Sequence, residues 1–152
     1  MASINVGRVV AGGLVAGVVA NAIDFVTNTY ILAGDWAAFA PTRNLDPAVF
    51  TSGSVAAVWI AVDFVFGLLL VWTYAAMRPR FGAGARTAIF AGLVLYLTAT
   101  VVLFGFSQMG LMSAALFLKG SVCALVSTLA ASLAGAAVYK EVVATAGPVY
   151  AR

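Results

Sequence analysis

Four long apolar stretches, at about residues 8–32, 55–78, 87–107 and 118–139, constrain this chain more than any other feature. A bilayer core about 30 Å thick takes roughly 20 apolar residues of helix to cross, and each stretch reaches that length. Inside hydrocarbon every backbone N–H and C=O needs a partner within its own segment, so an open chain crosses only as helix. Composition points the same way. Only 9% of the 152 residues are charged, whereas a soluble domain carries about 25% to keep its surface wet. Mean hydropathy is +1.08. The expected fold is an all-α integral membrane protein, a four-transmembrane-helix bundle forming one membrane domain over residues 1–152.

The joints carry local turn chemistry. The segment AGDWAAFAPTRNLDPAVFTSGS, residues 33–54, holds two prolines and two glycines and is expected to be an external loop. Within it, LDPAVF suggests a short helix with Asp46 as N-cap and Pro47 at the first helical position; the loop is expected to lie flat on the membrane, with a lid over a pocket as the alternative. RPRFGAGAR joins the second and third stretches, and GFSQMGLMSA the third and fourth. Residues 141–152 are expected to be a short amphiphilic C-terminal tail. With four spans, Arg8, Arg78, Arg80, Arg86, Lys140 and Arg152 gather on one side; Arg43 and Lys119 lie on the other, offset by Asp35 and Asp46. That bias places both termini in the cytoplasm. An alternative start treats residues 1–22 as a signal peptide, with Ala20–Asn21–Ala22 as its cleavage site. The apolar run continues to Leu32, which favours a span.

Two aspartates interrupt the apolar runs in nearly the same phrase, AIDFV at 22–26 and AVDFV at 61–65. At 1.5 Å per residue, Asp24 and Asp63 both lie roughly 12 Å below the outer boundary. Asn21, Asp24 and Asn28 share one helix face by their spacing of three and four. Thr98, Thr100, Ser127 and Thr128 fall at about the same depth. Small residues extend these faces: Gly13 and Gly17 in the first span, Gly67 in the second, Ala131 and Gly135 in the fourth. Such residues let helices approach closely in lipid. The expectation is a buried polar layer around two intramembrane acids, with small residues packing the helices beside it. An ionised carboxylate in hydrocarbon is costly, so each acid needs a proton, a cation or hydrogen-bond donors. If the two meet, they titrate as a coupled pair able to share one proton.

Other features have plainer expectations. Arg78, Arg80 and Arg86 are candidates for anionic lipid headgroups, although they also serve as orientation signals. Trp36, Phe39, Phe50, Tyr30 and Trp59 suggest an aromatic belt at one interface, with Trp72, Tyr74 and Tyr139 at the other. Cys123 is a packing residue. The chain has no histidine, which removes the commonest metal ligand and general base. GAG at 82–84 follows no strand and lacks a full nucleotide-loop pattern. No metal and no cofactor is expected, and basic residues at segment ends give no reason to expect nucleic acid.

GRVVAGGLVAGVVANAIDFV, VDFVFGLLLVWTYAAMRPRFGAGARTAIFAGL and LAGAAVYKE resemble an uncharacterised family of small four-span bacterial inner-membrane proteins. Asp24, Asp63 and the RPRFGAG turn carry the resemblance best. It implies a four-span fold in a bacterial inner membrane and assigns no activity. The small multidrug-resistance transporters are similar in size and in having a membrane-embedded acid in the first span. This chain is longer, uses aspartate and adds a second acid, so that likeness stops at size and chemistry. The leading expectation is a non-enzymatic accessory or assembly subunit, with the lipid bilayer and a homo-oligomer or larger membrane complex as partners. The alternative is a proton- or cation-coupled small transporter using Asp24 and Asp63, assisted by Asn21 and Asn28.

Overall fold

The computed structural model describes residues 4–139, and these are helical with no strand among them. Four helices are long and apolar enough to cross a membrane. The first is α1 (Val6–Val26), prolonged by a π-helical turn (Thr27–Ile31). A short α2 (Ala33–Phe39) and 3-10 turns at Ala40–Arg43 and Pro47–Thr51 lead to α3 (Gly53–Phe81). Then come α4 (Ala85–Gln108) and α5 (Ala114–Val138). Lys140, Arg152 and the expected tail lie outside the described residues. The end of the bundle holding Asn5, the α3–α4 turn and Tyr139 is called the turn end; the opposite is the loop end.

The helices start where side chains replace missing backbone acceptors. Asn5, Ser52 and Ser113 cap α1, α3 and α5, accepting from the N–H groups of Arg8, Val55 and Leu116. The α3–α4 turn depends on Gly82 and Gly84, at φ 82° and 124°, values that a β-carbon disfavours. Helix α3 runs past Pro79 to Phe81, because backbone hydrogen bonding continues where apolar side chains end. The loop 33–54 is more ordered than its turn residues suggest. Asp46 accepts from the Ala48 N–H at 2.9 Å and Pro47 opens the helix as expected, but that helix is 3-10. Helix α2 precedes it and was not anticipated. Gly34 and Pro41 look like breakers, yet Pro41 lies beyond the helix and Gly34 sits in its first turn.

Helix α1 is the hub, and its glycines set how closely its neighbours approach. A β-carbon at Gly67 of α3 would lie 2.5 Å from the Gly13 carbonyl oxygen and 2.6 Å from the Gly17 nitrogen. The backbones of α1 and α3 therefore touch directly. On the adjacent face of α1, a β-carbon at Gly12 would meet the Gly135 oxygen of α5 at 2.7 Å. Lipid tails are as apolar as leucine, so packing and hydrogen bonds, not the hydrophobic effect, hold such helices together. Helix α4 is attached differently. Its buried residues are Thr87, Ala88, Ala91 and Gly92, all near the turn end. There Ser132 of α5 donates to the Ala88 carbonyl at 2.7 Å. Past Gly92 no α4 residue is buried, and Phe104 meets Phe117 at 5.6 Å between ring centroids.

Candidate functional site

The polar layer forms where α1, α3 and α5 meet, in the half of the bundle nearer the loop end. Asn21 bridges two helices: its amide nitrogen donates to the Gly17 carbonyl at 2.9 Å and to the Ile60 carbonyl of α3 at 3.3 Å. Asp24, one turn further along, is half-buried and neighbours the buried Ser127 of α5. Asp63 is also half-buried and close enough for its carboxylate to feel the charge of Asp24. The acids are thus electrostatic neighbours on adjacent helices. Thr128 is buried beside Ser127. No set of three or more cysteine, aspartate or glutamate side chains gathers as a metal site among the described residues.

Three of the layer candidates lie elsewhere. Asn28 is exposed; its amide nitrogen donates to the Asp24 carbonyl at 2.9 Å, and its oxygen accepts from the Trp36 indole at 3.1 Å. It ties α2 to the bundle. Thr98 is exposed and donates to the Val94 carbonyl of its own helix at 2.8 Å. Thr100 is half-buried on the part of α4 that packs least. Depth alone placed these threonines in the layer, whereas helix rotation turns Thr98 outward. The packing candidates all sit at helix contacts: Gly13, Gly17 and Gly67 between α1 and α3, Gly135 against Gly12 and Val71, and Ala131 in the core.

The turn end carries a second cluster that belt-like expectations missed. Tyr74 and Tyr139 are each 3% exposed, so they are core residues and not interfacial anchors. Their rings meet edge to face at 6.0 Å. The Tyr74 hydroxyl accepts from the Gly84 N–H at 3.1 Å, and the Tyr139 hydroxyl from the Asn5 N–H at 3.3 Å. The Arg78 guanidinium lies 5.8 Å and 5.3 Å from the two ring centroids, in cation–π range. Arg80 and Arg86 are exposed, Arg86 over Phe90. The signal was present as spacing: Asp63, Gly67, Leu70, Tyr74 and Arg78 form one helical stripe, and Ser127, Ala131, Gly135 and Tyr139 another. Trp72 remains 48% exposed, and Tyr30 and Trp59 are exposed toward the loop end.

At the loop end, Lys119 of α5 grips both carboxylate oxygens of Asp35 in α2, at 2.7 and 3.0 Å. Apolar recesses lie among the described residues, and two of them stand out. One of about 150 Å³ lies between Tyr74, Ala88 and Ala136; the other, about 370 Å³ and open, is lined by Ile31, Leu118, Lys119, Val122 and Cys123. Neither is lined by Asp24 or Asp63. Compared with known proteins, the chain matches no family model, no curated protein and no solved structure.

Proposed function

We propose that this chain is a non-enzymatic, multi-pass protein of a bacterial inner membrane, an accessory or assembly subunit whose polar layer fixes its helix contacts. The observation that carries this reading is how the layer's polar groups are used. Asn21 bridges α1 to α3 through the Ile60 carbonyl, and Asp24 faces Ser127 across the α1–α5 contact. An interhelical hydrogen bond such as that from Asn21 holds helices in register in lipid. The cytoplasmic side is the turn end, supported by Arg8, Arg78, Arg80 and Arg86 there. Its partners are the lipid bilayer and further membrane chains, copies of itself or others.

A second reading, a proton- or cation-coupled small transporter, is favoured by one observation. Asp24 and Asp63 are electrostatic neighbours, and Lys119, the basic residue of α5, is engaged with Asp35 at the loop end. A carboxylate pair with no fixed countercharge among the described residues can exchange a proton or take up a cation.

Native mass spectrometry of the protein, extracted gently from its host membrane, separates the two. A stoichiometric foreign chain is the expected result for an accessory subunit. A homo-oligomer alone, together with proton or cation flux in liposomes that Asp24→Asn or Asp63→Asn abolishes without unfolding, would refute it in favour of transport.

A further inference from the structure

The loop end is closed by a structure distinct from the main core. Leu32, Ala40 and Leu116 are buried there, apart from the cluster that unites the bundle. Leu32 reaches α5 at Gly120, where a β-carbon would lie 3.9 Å from its Cδ1. Gly120 precedes Ser127 by two helical turns, so this plug lies roughly 10 Å above the polar layer. The element that carries Leu32 into place, α2, buries no residue of its own. Polar contacts hold it at its edges: Asp35 on Lys119 at 2.7 Å, and the Trp36 indole on Asn28 at 3.1 Å. Trp36 also stacks on Phe50 at 4.9 Å, coupling α2 to the 3-10 turn before α3. Between α2 and Asp24 stands the π-helical turn Thr27–Ile31, a geometry that often marks functional positions in helices.

We propose that α2 is a latched lid, hinged on the π-helical turn and held by the Asp35–Lys119 ion pair, whose release lifts Leu32 and opens the polar layer to water at the loop end. Opening withdraws the buried Leu32 and Ala40, which flank α2, while α2 itself buries no side chain, so the packing lost is confined to those two residues and the latch and the indole bond hold the rest. Asn28 ties the lid to the backbone of α1 at Asp24, because its amide meets both the Asp24 carbonyl and the Trp36 indole. The lid rests on the second functional reading, in which the layer exchanges protons or cations with water, and it supplies the route.

The test uses Ser127→Cys in a Cys123→Ala background, reconstituted in lipid nanodiscs so that both faces meet water. A charged, membrane-impermeant thiol reagent reports access to the layer. Lys119→Ala should raise the labelling rate about fivefold, the population shift available from losing an exposed ion pair. The exchanged pair Asp35→Lys with Lys119→Asp should restore slow labelling. A parallel reporter, Ala88→Cys at the turn end, should stay unreactive throughout. Equal rates with and without the latch would overturn the lid, as would a fast exchanged pair or a rise at position 88, which signals general loosening. Faster labelling at position 127 with no flux in liposomes supports the lid while removing the transport reading.

Discussion

Replacing Gly67 with alanine should separate α1 from α3. The added methyl would lie 2.5 Å from the Gly13 oxygen, 2.6 Å from the Gly17 nitrogen and 3.0 Å from the Gly17 Cα. All three atoms belong to the backbone of α1, so no side-chain rotation relieves the contact. Ordinary contact begins near 3.4 Å, and α1 must therefore retreat by about 0.9 Å. The retreat stretches the Asn21–Ile60 hydrogen bond, already 3.3 Å long, out of range. Overpacking of this kind costs about 1–3 kcal/mol, and the lost interhelical bond adds about 0.6–1 kcal/mol. Alanine's better helix propensity, about 1 kcal/mol, works in the opposite direction. Gly105→Ala isolates that term, since nothing lies within 4 Å of a β-carbon there. Propensity cancels between the two variants, which leaves Gly67→Ala about 2–4 kcal/mol less stable than Gly105→Ala. Titration of the detergent-solubilised protein with dodecyl sulfate, followed by tryptophan fluorescence, measures the difference. Equal midpoints would refute direct backbone contact between α1 and α3.

Four further outcomes follow from individual contacts. Asn21→Ala should cost about 1 kcal/mol in the same titration by removing the bridge to Ile60. Ser132→Ala should lose about 1 kcal/mol because its hydroxyl is buried against the Ala88 carbonyl, while Thr98→Ala, an exposed bond within one helix, should change stability negligibly. Tyr74→Phe keeps the edge-to-face contact with Tyr139 but strips the acceptor from the Gly84 N–H, and its cost should again be about 1 kcal/mol. A double-mutant cycle on Asp35 and Lys119 should return a coupling below about 1 kcal/mol that shrinks with added salt, since Lys119 is 54% exposed.

Much of the architecture is legible in the sequence. Hydropathy and turn chemistry place four helices within a few residues of their observed limits, because length and backbone satisfaction in lipid leave no other solution. Gly13, Gly17, Gly67 and Gly135 are recognisable as packing candidates from their spacing alone, since i, i+4 periodicity pairs Gly13 with Gly17, Asp63 with Gly67 and Ala131 with Gly135, each on a stripe of its own helix whatever that stripe contacts. The layer was harder to read. Depth along a helix can be counted, so Asp24, Asp63 and Ser127 fall at one level in either view. For α4 glycine spacing misleads: Thr98 shares a stripe with Gly105, seven residues on, yet nothing lies within 4 Å of a β-carbon at Gly105. Thr98 therefore looked like a layer residue and faces outward.

The chain by itself determined that these residues form apolar helices with small-residue faces and two acids at matching depth, because each property depends on local spacing. Tertiary structure alone decided which faces meet. It made α1 the hub between α3 and α5, brought Asp24 beside Ser127 and within the field of Asp63, and buried Tyr74 and Tyr139 around Arg78. It also folded α2 back so that Asp35 reaches Lys119, 84 residues away. The physical reason is that in lipid the apolar surface of one helix is as well solvated as that of another. Helix partners are then chosen by close backbone approach and by a few polar contacts between distant residues; glycine spacing marks the faces that can approach, but not which of them pair.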